Sequence, residues 1–314
     1  MDSKVIPYVN SVFEQPWWLD VVAPGKWGET VVKDGDKVIA RMPYVLENGK
    51  IITPQYTQTL GIWMDESIKA FQKGNSQLHK QKEIIAELLS QLPKNKGIDV
   101  TFDSSLKYIL PFRWHGFNIE PTFSYRINNL KNIDFINERI GKTVEKNIKT
   151  ALKKVTVDCN SMNLDALINL QNMTYIRQNR KNPIDEKLTL KVMQKAIEYG
   201  CGRLMIARDE EENPHSAAFF LYDEKVCYYL MGGQNPQFKN NGSQNLLLSE
   251  GIKFASTVSE SFDFEGSMVE GIENFFRQFG GEQVVNYHVS KRTLLGDIMY
   301  AAKPHIKKLL GYKI

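Results

Sequence analysis

Short apolar runs separated by turn dipeptides open the chain, and longer runs with helical spacing follow. Thr30 to Lys33, Lys37 to Val45 and Ile51 to Thr53 are apolar stretches broken by Asp34-Gly35 and Asn48-Gly49. Those dipeptides suit the left-handed positions of a two-residue hairpin turn, so an antiparallel meander is expected. Before it, Phe13 to Val22 reads as a short helix with Pro16 in its first turn, where a missing N–H costs least, and with Trp17 and Trp18 as core anchors. Ile84, Ile85, Leu88, Leu89 and Leu92 recur at helical spacing between Lys80 and Leu92, which predicts an amphipathic helix packed on a sheet. Gly97 to Phe102 follows as a strand. The polar, aromatic segment from Gln55 to Trp63 lines a cleft or covers one end of the sheet.

The same order of elements then returns. Arg203 to Arg208, Ser216 to Tyr222 and Val226 to Gly232 read as strands, followed by a polar loop, a helix over Ser243 to Ser256, a strand at Phe262 to Phe264 and a helix over Met268 to Phe279. Local matches keep step with this order. Phe102 aligns with Phe264, Phe112-Arg113 with Phe276-Arg277, and Tyr125 with Tyr287, at a nearly constant offset. Order-preserving similarity of this kind marks a duplicated unit. The fold class is therefore α/β (α+β), in two domains of like topology: 1–128, and 129–314 beginning with a helical insert over about 133–200.

The insert carries the clearest charge pattern in the chain. From Asn137 to Val155 an apolar stripe of Ile140, Val144, Ile148, Ala151, Leu152 and Val155 is matched on another face by Lys142, Lys146, Lys149 and Lys153. Such a stripe serves as a solvated face or as a docking strip for the phosphates of RNA or another polyanion. A second helix, Leu164 to Asn179, ends in a polar, basic cluster that includes Tyr175 and Arg177, and a third spans Leu188 to Tyr199. Net charge of +4 and a pI of about 8.7 permit an anionic partner without requiring one. Cys159, Cys201 and Cys227 are widely spaced, which argues against a disulfide framework or a metal site and for small buried hydrophobes. No apolar run reaches membrane-spanning length and Met1-Asp2-Ser3-Lys4 opens no signal sequence, so a cytoplasmic location is expected.

Two loops in the second domain carry candidate chemistry. Gly232 through Ser243 joins a strand to a helix and is rich in glycine and amides, among them Gln234, Asn241 and Gly242, so backbone N–H groups there can approach an anion. Asp263 and Glu265 leave the strand before the last helix, where Ser267 and Glu270 have the S-x-x-E spacing of a capping box. No Ser/His/Asp set is visible.

The run Phe262-Asp263-Phe264-Glu265-Gly266-Ser267, followed by Gly271-Ile272 and Phe275-Phe276-Arg277-Gln278-Phe279-Gly280-Gly281, resembles the second half of FemAB-type peptidyltransferases, which are tandem GNAT-fold acyltransferases. Lys146-Asn147-Ile148-Lys149-Thr150 resembles that family's basic helix. The resemblance implies two GNAT-like domains, each a mixed, mainly antiparallel sheet flanked by helices. It implies transfer of an acyl or aminoacyl group from acyl-CoA or aminoacyl-tRNA to an amine acceptor such as a cell-envelope precursor, without a metal. The chain departs from the family in having Arg277 where Fem proteins carry a lysine, no coiled-coil hairpin, and no Q/R-x-x-G-x-G/A loop between Gln237 and Ser243. On this reading Asp263 or Glu265 orients or deprotonates the amine, Arg277 stabilises negative charge and Tyr229 or Tyr175 supplies a hydrogen bond. Lys146, Asn147, Tyr175, Arg177, Gln234, Asn241, Gly242, Ser243 and Ser267 hold substrates. The competing reading makes Asp263 and Glu265 braces of the turn, Arg277 a surface ion-pair partner and Tyr229 a core residue. The alternative function is a non-catalytic protein of the same fold that grips RNA or a glycan precursor.

Overall fold

The computed structural model describes residues 5–69, 75–132, 138–177, 185–266 and 268–293. The chain divides into two compact units, one of Met1–Thr122 with Asn286–Ile314 and one of Phe123–Val285.

In the first unit α1 (Pro16–Val22) precedes the meander β1 (Trp27–Asp34), β2 (Lys37–Glu47) and β3 (Lys50–Ile52), with the short β4 (Trp63–Met64) on β2. Both expected hairpins form. Gly35, Asn48 and Gly49 take positive φ angles of 59°, 49° and 76°, which tight turns between right-twisted strands require. Trp17 and Trp18 are buried, and Trp18 Nε1 donates to Thr57 Oγ1 at 2.9 Å. That bond and the burial of Thr59, Leu60 and Ile62 make the segment from Gln55 to Trp63 a cover on the sheet. Next come α2 (Glu66–Lys69), α3 (Asn75–Ser90), β5 (Gly97–Phe102) parallel to β3, α4 (Leu110–Trp114) and β6 (Asn118–Ile127).

The second unit holds α5 (Lys142–Ala151), β7 (Thr156–Asp158), α6 (Leu164–Arg177) and α7 (Glu186–Glu198), then β8 (Gly202–Arg208), β9 (Pro214–Tyr222), β10 (Val226–Gln234), α8 (Ser243–Val258), β11 (Ser261–Asp263), α9 (Glu270–Arg277) and the start of β12 (Glu282–Lys291), whose residues from Asn286 on belong to the first unit. The repeat of elements is real: β10 and β11 are parallel, as are β3 and β5. Its core is aromatic. Phe220, Phe262, Phe264, Phe276 and Phe279 are buried together, each contributing on the order of 2–3 kcal/mol by leaving water.

A boundary at 128/129 misses one feature, the fate of each copy's last strand. Arg126 and Ile127 of β6 pair antiparallel with β11 in the second unit, while Tyr287 to Lys291 of β12 pair antiparallel with β5 in the first. Each compact unit is thus completed by the final strand of the other repeat, and the units part at 122/123 and 285/286 instead. The helix expected over Asn137 to Val155 is shorter, and Lys153 follows its end in a turn. Among the described residues no helix is long and apolar enough to cross a membrane, and no cluster of His, Cys, Asp and Glu is arranged to hold a metal ion.

Candidate functional site

β10 has two different edges. Along one it pairs with β9 throughout, with a register shift between Tyr229 and Met231. Along the other it pairs with β11 only from Val226 to Tyr228, because β11 ends at Asp263. Beyond Tyr228 no strand pairs with that edge among the described residues, and a cavity of about 690 Å³ opens there. Strand backbone is contributed by Gly232 and Gly233, the helix start by Gly242, Gln244 and Asn245 of α8. Thr143 and Asn147 of α5 and Thr174 of α6 close one side; Ile272, Phe275 and Phe276 of α9 make an apolar wall.

The loop before α8 is built to a fixed shape. Gly242 has φ +80°, and a β-carbon there would collide with the Asn147 carbonyl oxygen, so only glycine fits. Asn241 is buried; its Oδ1 accepts from Ser243 N at 2.9 Å and its Nδ2 donates to His215 Nδ1 at 2.5 Å. His215 then presents Nε2–H to Asp209 Oδ2 at 3.0 Å, and its ring stacks on Phe238 with centroids 3.6 Å apart. Burial works to raise the Asp209 carboxyl, but hydrogen bonds from Asn213, His215 and Glu211 outweigh it and hold the group down at about 2. The first-turn N–H groups of α8 precede the first helical carbonyl bond, from Leu246 N to Gly242 O, so Gln244 and Asn245 offer donors at the positive end of a helix.

Tyr229 faces this helix start. Its hydroxyl accepts from Gln244 Nε2 at 2.9 Å, and its ring stands edge-on to Phe276 with centroids 5.9 Å apart. Burial pushes the phenol well above its ordinary 10, the Gln244 bond acting the other way, so it stays neutral and keeps a proton to donate. The Gln244 Oε1 and Ser243 Oγ atoms are buried without protein partners.

Of the residues singled out from the sequence, the cleft gathers Tyr229, Asn147, Gln234 and Gly242, with Asn241 and Ser243 shaping its loop. The acidic turn is elsewhere. Asp263 is fully buried; Oδ2 receives Arg126 Nε and Nη2, each at 2.9 Å, and Oδ1 receives Ser124 Oγ at 2.5 Å and Glu265 N at 2.7 Å. A carboxylate so committed braces the turn, which is the second role weighed for it, and is not placed to take a proton from an amine. Glu265 stands at φ +59°, a strained angle for a side-chain-bearing residue, with Oε1 buried and unpartnered. Burial, then the neighbouring Asp263, hold its carboxyl well above the usual range. Arg277 lies 59% exposed on α9, donating to Asn274 Oδ1 at 2.9 Å beside Glu273, and does not line the cleft. Lys146 is exposed on α5 and Tyr175 half-buried on α6, both off the cleft lining. Ser267 and the Arg177 side chain lie outside the described residues, and α9 is capped by Val269, two residues past the expected cap.

Sequence reasoning passed over Gln244, Asn245 and the aromatic wall. Gln244 was findable as a first-turn residue of the helix opened by Gly242. Phe275 and Phe276 read as core because the apolar face of a short helix looks the same whether it faces a core or a cleft.

The fold is that of two solved structures, FemX and L-PGS. The chain is similar to the crystal structure of FemX, at 13% identity over 88% of this chain and 91% of that one, with a TM-score of 0.65. It is also similar to L-PGS from Bacillus licheniformis, at 11% identity over 89% of each chain and a TM-score of 0.55. No family model matches the sequence, and no curated protein does.

Proposed function

We propose that the chain is an N-acyltransferase or aminoacyltransferase that holds an activated acyl donor in the cleft of the second unit. The observation that carries this reading is the parting of β10 from β11 after Tyr228, which bares strand backbone beside the N-terminus of α8. Strand N–H groups can grip the acyl arm, and the helix start favours the donor's anionic portion. Acyl transfer to an amine needs alignment and oxyanion stabilisation but no covalent nucleophile. The amine nitrogen attacks the carbonyl carbon, the bond to the donor's oxygen or sulfur breaks, and the proton lost by the amine ends on that leaving atom. Tyr229, neutral and fixed by Gln244, donates a hydrogen bond to the carbonyl oxygen or the leaving atom. Asp263 is reassigned to bracing and Arg277 to the solvent face of α9.

The favoured donor is aminoacyl-tRNA. Thr143 and Asn147 of α5 line the cleft, and Lys142, Lys146 and Lys149 on the same helix are exposed beside them, where they can meet phosphates. The resemblance to Fem proteins points to the amine of a cell-envelope precursor as acceptor. The test is to incubate purified protein with radiolabelled aminoacyl-tRNA or acetyl-CoA and a panel of amines, and to count label in amide products. Transfer from aminoacyl-tRNA is the expected result. Binding of RNA with no product from either donor would instead favour a non-catalytic RNA-gripping protein.

A further inference from the structure

The first unit carries a cavity that the proposed transfer does not use. It measures about 930 Å³, within the range of small-molecule sites, and lies among the C-terminal end of α3, the start of β5, the turn between α4 and β6, and the end of β12. Cations reach it from two separate places, Lys94 and Lys96 from the turn after α3 and Lys291 with Arg292 from the end of β12, and His115 lines it from the turn after α4. Among the described residues no acidic side chain lines it. Between the cations the wall is apolar, made by Leu89, Leu92, Ile98 and Phe117.

The basic groups are arranged, not merely frequent. Lys291 Nζ donates to the His115 carbonyl oxygen at 2.7 Å and stands 5.1 Å from the Phe117 ring centroid. Gly116, at φ +80°, brings the backbone close under that lysine. Asn95, at φ +57°, folds the chain back between Lys94 and Lys96. Attraction to the C-terminal end of the α3 dipole accounts for Lys94 and Lys96, but not for Lys291 and Arg292, which arrive from another strand. Nor is the cavity the first repeat's copy of the cleft. The cleft opens at the N-terminal end of α8, whereas this cavity sits at the C-terminal end of α3, the helix in the corresponding place, roughly 20 Å from that helix's first residue.

We infer that this cavity binds a phosphate ester with an apolar body, the phosphate among Lys94, Lys96, Lys291 and Arg292 and the body against Phe117, Leu92 and Ile98. A soluble phosphate ester and a lipid head group share that chemistry. Titration calorimetry of the full chain with hexyl phosphate and with inorganic phosphate, and sedimentation with phosphatidylglycerol–phosphatidylcholine vesicles against phosphatidylcholine alone, separate the two sources. Hexyl phosphate binds, and inorganic phosphate binds more than about tenfold weaker because it buries no methylenes. Lys94→Glu with Lys96→Glu weakens hexyl phosphate at least about tenfold by like-charge repulsion, while the thermal midpoint stays put because both side chains are exposed. Retention on the anionic vesicles, lost in the same variant, assigns the lipid source; hexyl phosphate binding without it assigns the soluble one. Failure of the native chain to bind either hexyl phosphate or the vesicles, or binding untouched by the double substitution, overturns the site. Neither readout depends on transfer activity.

Discussion

The Tyr229 hydroxyl occupies the space that a β-carbon on Gly232 would need. One strand thus places a phenol across its register shift and over its own bared backbone, and Gln244 locks it there. If that phenol donates to the reacting atoms, Tyr229→Phe leaves the fold intact and lowers kcat by about 10- to 100-fold, with little change in the donor's KM. Gly232→Ala displaces the ring and loses both. Unchanged kcat in Tyr229→Phe would return Tyr229 to the role of a core residue.

Gly242 is held between a left-handed angle and the Asn147 carbonyl. Substitution by alanine pays for both, so Gly242→Ala lowers unfolding stability by more than about 1 kcal/mol and moves the start of α8. Urea unfolding checks the first effect. Loss of donor binding at a denaturant-free temperature where the variant is still folded checks the second.

Asp263 and Arg126 separate bracing from catalysis. Asp263→Asn removes the charge that two nitrogens of the mostly buried Arg126 guanidinium meet, a change that costs about 3–5 kcal/mol. As a brace, Asp263 affects activity only through the folded fraction. Product formed per folded molecule, with the folded fraction read by circular dichroism, stays near the native value in Asp263→Asn; a fall of a hundredfold or more in that ratio would restore it as a base.

The hairpins were readable from single dipeptides because Asp34-Gly35 and Asn48-Gly49 impose their geometry locally. Duplication was readable from order alone. The exchange of last strands was not, since Ile127 opposite Phe262 and Tyr287 opposite Phe102 are apolar pairs that would serve equally with either partner. Arg126 was missed as the mate of Asp263 for a similar reason: a buried carboxylate needs a cation, but nothing local says which of the distant arginines supplies it. The cleft was half seen. Its loop has composition to mark it, whereas the parting of β10 from β11 depends on where a strand stops.

Two buried glutamates make stability fall as pH rises. Burial lifts the Glu14 carboxyl from its usual 4.5 to about 7, against hydrogen bonds from Asn10, with Asp103 pushing the same way as burial and Arg41 opposing it; Glu265 is also raised, by burial and then Asp263. Across that interval the folded chain keeps protons that the unfolded chain has released. The stabilising contribution of Glu14 is therefore complete below about pH 4.5 and lost by about pH 7, at up to about 1.4 kcal/mol per pH unit. Other groups titrate in the same window, so the measurement is the difference in urea midpoints between native chain and Glu14→Gln at several pH values. The variant shows the shallower decline; parallel curves would place the Glu14 carboxyl near its usual value.

On the proposed function, the lysines of α5 discriminate between the two donors. Lys142, Lys146 and Lys149 are exposed, and they share their helix with two residues of the cleft lining. If they meet tRNA phosphates, each contact releases a counterion, and replacing all three by glutamine lowers the slope of log binding constant against log salt by about 2 to 3. The KM for aminoacyl-tRNA then rises while kcat holds, because phosphate contacts remote from the carbonyl are made equally in the ground state and the transition state. A thioester donor gripped by the α8 N-terminus would be little affected by the same substitutions. Filter binding over a salt series, run beside single-turnover transfer, distinguishes the cases: an unchanged slope with unchanged KM removes RNA from the α5 face and leaves the stripe a solvated one.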